Sequence, residues 1–223
     1  MGHFSMFRHF TLTSDNTTLV TGFNLKEMPP SSPRYNIAPG DRVATVPASM
    51  DRSPRHIGFL DWGLIFDDND VACKEARVTT VGDDNLSSPR YESSFRYRRC
   101  LILADGLYVW QLENDVPKYL VRLDQQPFAL AGIRQRFSKG EESWDTCAII
   151  TINMDGGVVS GQAMPACVSP EDYDKWTSPL VTKVMTLKKL MTPLPLGKMD
   201  SRAVGDHVKD ANDKLPHCID LRP

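Results

Sequence analysis

Short apolar runs, each ended by turn residues, limit most strongly what this chain can fold into. They are rich in Val, Ile, Tyr and Trp, and each has roughly the length of a β-strand. Apolar residues at helical spacing are scarce, and proline, which interrupts helices, occurs 16 times. The pattern therefore predicts strands at Arg42–Val46, His56–Leu64, Cys100–Leu103, Gly106–Gln111, Lys118–Leu123, Phe128–Ile133 and Cys147–Ile152.

Turn residues mark where the strands end. Such clusters stand at Ala104-Asp105-Gly106, Glu113-Asn114-Asp115 and Ser138-Lys139-Gly140. The segment Leu112–Lys118 lies between two of the predicted strands, so we expect it to be a hairpin connection.

Helical signals are few. Ser169 followed by Pro170 predicts the start of a short helix that ends near Trp176. Asp84–Tyr97 and Asn24–Glu27 are further candidates. The whole pattern predicts an α+β, mainly β fold, with a closed or barrel-like twisted sheet and a few peripheral helices. We expect a single domain over residues 1–223, with residues 1–5 as an N-terminal extension.

The charge balance limits the class of partner. Lys and Arg total 26 against 28 acidic residues, which gives a net charge of −2. A protein that binds nucleic acid non-specifically usually carries a basic surplus. Any binding of DNA is therefore expected to depend on a local group of cations.

The cysteines and the hydropathy pattern indicate a cytoplasmic protein. The five cysteines are widely spaced and form no metal-binding pattern, so we expect free thiols that are buried or half-buried. No apolar run approaches the roughly 20 residues of a membrane span. Neither a Cys/His metal cluster nor a glycine-rich phosphate loop occurs, so no metal or other cofactor is expected.

Several blocks of sequence resemble, in the same order, the motifs of one family, the SOS-response-associated peptidase (SRAP) family of abasic-site processing proteins. The resemblance covers nearly the whole chain. Its blocks are Met6–Thr13, Arg34–Gly40, Trp62–Ile65, Ala76-Arg77, Ser94–Leu101, Ala104–Trp110, Pro127–Gly132, Met164-Pro165 and Ser201–Gly205.

The resemblance implies a specific chemistry. In the family, a cysteine after the initiator methionine uses its thiol and its α-amine to close a thiazolidine with the ring-opened abasic sugar of single-stranded DNA. A carboxylate and a histidine transfer protons, and an amide side chain positions the reactants. In this chain the positions of the cysteine, the amide, the carboxylate and the histidine hold Phe7, Glu75, Val109 and Gly161.

These replacements predict that the family's catalytic residues are not intact. Phe7 has no thiol and is preceded by six residues. If translation starts at Met6, or if Met1 is aligned with the family's methionine, the nucleophile is still missing. The side chain of Val109 cannot transfer a proton. Whether the chain is an enzyme stays open, although the family would imply a hydrolase or a lyase.

Residual DNA binding is predicted from other positions of the same motifs. Arg77 aligns with an arginine that contacts the DNA backbone in the family, and basic side chains of this kind supply much of the affinity for single strands. The alternative is that these arginines are structural. The candidate DNA-binding residues are Arg77, Pro39, Asn36, Arg34, Arg202 and His9; for His9 the alternative is a surface or capping histidine.

Other charged groups bear on DNA binding. Three acidic residues in Phe66–Asp70 stand where the family has aromatic residues, and they would oppose binding unless they form a solvated turn. Arg96, Arg98 and Arg99 form either a basic patch or a solvated strand edge.

These observations give three hypotheses. The first is an inactive SRAP-type protein, of phage-related or other mobile-element origin, with residual binding of single-stranded or damaged DNA. The second is an active crosslinker or autopeptidase that uses other residues. The third is a protein-interaction module without DNA binding. A monomer is the default, and no membrane partner is expected.

Overall fold

The structure is a computed structural model that describes residues 7–51, 54–66, 77–110, 116–139, 141–153 and 163–222. Strands dominate it. They are β1 (Phe7–Leu12), β2 (Arg34–Ile37), β3 (Arg42–Pro47), β4 (Gly58–Trp62), β5 (Thr80–Gly82), β6 (Arg99–Ala104), β7 (Gly106–Trp110), β8 (Pro117–Arg122), β9 (Phe128–Lys139), β10 (Glu142–Asn153), β11 (Ala163–Val168), β12 (Met191–Pro193) and β13 (Met199–Ala203).

The larger sheet closes on itself. Its eight strands run in the order β12-β11-β9-β6-β3-β4-β10-β5, and β9 also pairs with β10. The strands β9, β6, β3, β4 and β10 therefore form a ring in which only the β4–β10 pair is parallel. Closure leaves these strands without a free edge. The predicted barrel-like, mainly β fold is confirmed.

A second sheet packs against the barrel. Its five strands run in the order β13-β8-β7-β1-β2. Phe10 on β1 meets Trp62 on β4 edge to face, with ring centroids 5.2 Å apart, and both belong to one continuous hydrophobic core. The aromatic contact fixes how β1 lies on the barrel.

The opposite, outer face of the five-stranded sheet has its own cover. Residues 204–222, here called the C-terminal segment, place Val204, Val208 and Cys218 against Tyr108 and Tyr119 in a second buried cluster. The segment contains two 3-10 turns, at Asp206–Lys209 and Pro216–Ile219.

The helices are short and differ partly from the prediction. They are α1 (Asn16–Phe23), α2 (Glu92–Tyr97), α3 (Tyr173–Trp176) and α4 (Val184–Lys189), with further 3-10 turns at Asn85–Ser87, Pro170–Asp172 and Leu196–Lys198. The prediction near Trp176 is confirmed, although Ser169 makes no side-chain cap hydrogen bond. The prediction of a helix at Asn24–Glu27 was wrong, because Asn24 is the left-handed residue (φ 47°) that ends α1.

The structure has a strand at each clear apolar run of the sequence. All seven predicted runs coincide with β3, β4 and β6 to β10. β7 and β8 pair in antiparallel fashion, as the predicted hairpin requires, whereas residues 111–115 of its connection lie outside the described residues. The strands β9 and β10 are longer than predicted, at 12 residues each, because their polar ends pair with each other.

Two expectations about the whole chain can also be compared with the described residues. Cys100, Cys147, Cys167 and Cys218 are buried free thiols, as predicted, whereas Cys73 lies outside the described residues. Within the described ranges, no helix is long and apolar enough to cross a membrane.

Candidate functional site

The motif blocks converge on the backbone around Trp62, which we call the motif junction: the loop 38–41, Trp62-Gly63 and the segment 77–79. The Trp62 amide donates to the Asp41 carbonyl at 2.9 Å, and the Trp62 carbonyl accepts from the Gly40 amide at 2.8 Å. Gly40 has a φ of 92°, which glycine adopts without strain. The block Arg34–Gly40 is thereby joined to the Trp62 block.

Arg77 enters the junction by packing over Gly63. A Cβ added to Gly63 would lie 2.8 Å from the Cβ of Arg77, and Gly63 has a φ of 131°. Next to this contact, Leu64 and Val78 exchange two backbone hydrogen bonds of 2.9 and 3.0 Å. The Arg77 side chain is exposed and forms no ion pair with another described residue. Arg77 is therefore held by its stem while its charge faces solvent.

The two positions that we predict to correspond to the family's cysteine and carboxylate lie side by side. Phe7 on β1 is directly opposite Val109 on β7 in the antiparallel register. The Phe7 ring lies 5.8 Å from the Trp62 ring, and only 2% of Phe7 and 5% of Val109 is exposed. These two positions, which would carry a thiol and a carboxylate in the family, are filled here by packed apolar groups.

His9 lies on the other face of the same sheet. The register between β1 and β7 shifts between Phe7 and His9, so that His9 pairs with Tyr108 and turns toward the C-terminal segment. Its Nδ1 lies 3.0 Å from the Val208 carbonyl, and its ring meets Trp110 edge to face. Burial lowers the pKa of His9, which favours the neutral imidazole.

The Asn36 side chain is also engaged with the C-terminal segment. Its Nδ2 donates to the carbonyls of Asp210 at 3.0 Å and Asp213 at 2.9 Å. Asn36 is 1% exposed, so its amide is placed to hold this segment against β2.

Arg34 contacts residues 41 and 42, at the end of the loop that follows β2. Its guanidinium donates to the Arg42 carbonyl and lies 3.4 Å from the Asp41 carboxylate. Burial lowers the pKa of Arg34, while Asp41 opposes that shift. Lys214 reaches the same carboxylate at 2.6 Å from the C-terminal segment. The Asp41 charge therefore neutralises much of the positive charge on this side of the junction.

The remaining candidates divide between the junction and a distant edge. Pro39 is exposed in the loop 38–41, next to the Gly40 contact with Trp62. Arg202 lies on β13, three strands away from β1, and its Nε donates to Asp200 at 2.7 Å. Glu75 and Gly161 lie outside the described residues, as does Asp67–Asp70. The structure thus places Phe7 against Trp62, Pro39 next to the Gly40 contact and Arg77 over Gly63, whereas Arg202 lies on a different strand at the edge of the five-stranded sheet.

The arginines before β6 do not form one surface patch. Arg99 is fully buried and donates to main-chain carbonyls, among them Trp176 at 2.8 Å and Ser178 at 2.6 Å. Burial lowers the pKa of Arg99 to about 10. Arg96 pairs with Glu92 at 2.8 Å, and Arg98 donates to Ser94. Arg99 therefore belongs neither to a basic surface patch nor to a solvated strand edge. It is a structural residue.

Asp105, which the sequence places in a turn and in the Ala104–Trp110 block, accepts hydrogen bonds from the residues that follow β1 and from β1 itself. Its carboxylate accepts from the Thr11 hydroxyl at 2.6 Å and from both the amide and the hydroxyl of Ser14, at 2.7 and 2.9 Å. The next residue, Gly106, leaves room for Tyr119, whose hydroxyl would lie 2.2 Å from an added Cβ. These contacts explain physically why Asp and Gly stand at positions 105 and 106 of the Ala104–Trp110 block.

The thiols of the described residues are poorly suited to nucleophilic attack. Burial raises the pKa of Cys100, Cys167 and Cys218 to about 12 in each case. The pKa of Cys147 is also raised by burial. Burial therefore disfavours the thiolate, which is the reactive form, at each of these cysteines.

Comparison with known proteins agrees with this arrangement of motifs. The family model described as SOS response associated peptidase (SRAP) matches residues 6–211. The abasic site processing protein YoqW of Bacillus subtilis (strain 168) is 27% identical over 224 residues, which covers 95% of this chain and 97% of that protein.

Solved structures share the fold. A protein from Bacteroides thetaiotaomicron superposes with a TM-score of 0.81 at 19% identity, covering 96% of this chain and 99% of that one. A phage-related protein from Bordetella bronchiseptica gives a TM-score of 0.70 at 22% identity, covering 88% and 93%. With the family model matching nearly all of its length, the chain belongs to the SOS response associated peptidase (SRAP) family.

Proposed function

We propose that this SRAP protein binds single-stranded DNA, including strands with abasic sites, without forming the family's covalent crosslink. The observation that carries the proposal is the buried Phe7–Val109 pair. A phenyl ring and an isopropyl group occupy the space where the family's reaction requires a nucleophile and a proton-transferring carboxylate.

The loss of chemistry follows from what a thiazolidine needs. The ring is built from the N, Cα, Cβ and S atoms of one terminal residue, so a thiol elsewhere in the chain cannot replace it. Cys100, Cys147, Cys167 and Cys218 are buried as well. With Glu75 and Gly161 at the amide and histidine positions, the remaining partners of the reaction are also changed.

Retained binding is supported by the exposed charge at the motif junction. Arg77 is exposed where it packs over Gly63, whereas Arg34 and Arg202 are paired with acids. On a chain of net charge −2, this exposed cation, which forms no ion pair with another described residue, supports weak, salt-sensitive binding of the phosphate backbone. Abasic DNA is the substrate class suggested by the name of the relative YoqW.

Fluorescence anisotropy with intact and abasic single strands at low salt tests the binding. Arg77→Ala should weaken binding several-fold and lower the slope of log K against log[salt] by about 0.7, the value for one phosphate contact. Arg136→Ala is the control, because Arg136 is a 66% exposed arginine on β9 that pairs with Asp145 at 2.9 Å. Absence of binding by the unaltered protein, or equal losses in the two variants, would overturn the proposal.

A denaturing gel separates this proposal from an active crosslinker. After incubation with abasic single strands, we expect only free DNA and free protein. A shifted band that survives heating would instead establish covalent chemistry by residues outside the family's set.

A protein-interaction role without DNA is the second candidate. It is favoured by the net charge of −2 and by the acidic partners of Arg34 and Arg202. A pull-down at high salt with nuclease treatment distinguishes it, because a partner bridged by DNA is lost under those conditions.

A further inference from the structure

Two imidazoles and one carboxylate converge in the C-terminal segment, away from the motif junction. His207 lies in the turn Asp206–Lys209, His217 lies in the turn Pro216–Ile219, and Asp213 lies between them. The Asp213 Oδ2 atom is 3.4 Å from His207 Nδ1 and 2.6 Å from His217 Nε2. The ligand atoms of these three residues all lie within 4.8 Å of one another.

We propose that His207, Asp213 and His217 bind a Zn²⁺ ion. Bonds of about 2.0–2.1 Å in tetrahedral geometry place neighbouring ligand atoms about 3.3 Å apart. The distance from Asp213 to His207 already has this value, at 3.4 Å. The contact between Asp213 and His217, at 2.6 Å, must open by about 0.7 Å to admit the ion.

The donor set selects the class of metal. Two imidazole nitrogens and one carboxylate oxygen suit Zn²⁺ and related transition metals, whereas Mg²⁺ and Ca²⁺ prefer oxygen ligands alone. Asp213 is oriented for this role, because its Oδ1 accepts from the Leu215 amide at 3.2 Å and leaves Oδ2 facing both rings. His207 is 59% exposed, so the ion can enter from solvent and keep water as a fourth ligand.

The site is placed to fasten the C-terminal segment. The carbonyl of Asp213 accepts from Asn36 at 2.9 Å, and the neighbouring Lys214 reaches the Asn36 carbonyl at 2.9 Å. Next to the two histidines in these turns, Val208 and Cys218 pack in the cluster that covers the outer face of the sheet. A bound ion would join both turns in one closed loop and so stabilise this cover. The role is independent of DNA binding at the junction.

The same contacts without a metal would be an ordinary hydrogen-bonded pair of histidines and a carboxylate. Titration of chelator-treated, untagged protein with ZnCl2 by calorimetry decides between the two. We expect one ion per chain and a rise in melting temperature that grows with free Zn²⁺. With Co²⁺ as a probe, the visible absorption should report four-coordinate binding.

Single variants locate the site. His207→Gln should weaken Zn²⁺ binding by at least about tenfold, because one of three protein ligands is lost. His207 is exposed, so this variant should fold, which circular dichroism can check. His56→Gln is the matched control, since His56 is also a half-exposed histidine beside a carboxylate, at 3.2 Å from Asp51. No stoichiometric binding by the unaltered protein, or undiminished binding by His207→Gln, would refute the metal site.

Discussion

Phe7 on β1 lies directly opposite Val109 on β7, and both side chains belong to the main hydrophobic core. Side chains in such opposite positions are about 4.5–5.5 Å apart at Cβ. The two positions are therefore physically linked. A carboxylate at position 109 would face the phenyl ring of Phe7, and it would be buried without a partner.

The linkage predicts that Val109→Glu destabilises this chain. Burying an uncompensated carboxyl group against Phe7 should lower the free energy of unfolding by at least about 1–3 kcal/mol. Urea denaturation measures the effect. Val109→Ile keeps the site apolar and should cost less than about 1.5 kcal/mol. Equal stability of Val109→Glu and the unaltered protein would show that the site is open to water.

The structure of the Ala104–Trp110 block predicts a large effect at its acidic residue. Asp105→Ala removes the carboxylate that accepts hydrogen bonds from Thr11 and Ser14, so those two donors lose this acceptor. Because hydrogen bonds to charged groups contribute about 1.5–3 kcal/mol each, we expect a loss of roughly 3 kcal/mol or more.

The matched control for that change is Asp124→Ala. Asp124 is 51% exposed and pairs with Arg122 on the surface, so its removal should cost no more than about 1 kcal/mol. Similar urea midpoints for the two variants would contradict a structural role for Asp105.

Much of the fold was predictable because its central strands have local signals. The strands β3, β4 and β6 to β10 are apolar and β-branched, and turn residues bound them. By contrast, β2 has the sequence Arg-Tyr-Asn-Ile, which carries no apolar run; it becomes a strand by pairing with β1. The helix α1 contains three threonines, and its stability comes from the Asp15 cap and from burial of Leu19 and Phe23.

The site was less predictable, because its geometry depends on distant or irregular features. The face on which His9 lies is decided by a register shift in β1, which alternation of residues along the sequence does not reveal. Lys214 meets Asp41 across 173 residues of sequence, and no local pattern indicates that contact. The resemblance identified the motif positions, and only the packing shows that Asn36 holds the C-terminal segment.

Gly63 should be sensitive to the smallest substitution. Gly63→Ala places a Cβ 2.8 Å from the Cβ of Arg77 and forces a residue with a side chain into a φ of 131°. We expect destabilisation of about 1–3 kcal/mol together with weaker binding of single-stranded DNA, because Arg77 is displaced.

Gly197→Ala is the control for that substitution, since nothing lies within 4 Å of an added Cβ there. It should leave both thermal stability and anisotropy close to those of the unaltered protein. If Gly63→Ala behaves like this control, Arg77 is not held by the contact described above.

His9 should make stability depend on pH. Its pKa is lowered from 6.5 in the folded state, mainly by burial, and the nearby charges of Lys214 and Asp41 act in opposite directions. The unfolded chain therefore binds more protons than the folded one in this range, so stability rises with pH. The stability that neutral His9 contributes is fully present above the unfolded pKa, and it is lost as the pH falls through 6.5 toward the lower folded value.

Urea denaturation between about pH 7 and pH 5 should show a smaller loss of stability for His9→Gln than for the unaltered protein. His56→Gln, which removes a half-exposed histidine in the connection between β3 and β4, is the control. An unchanged slope for His9→Gln would show that protonation of His9 does not oppose folding.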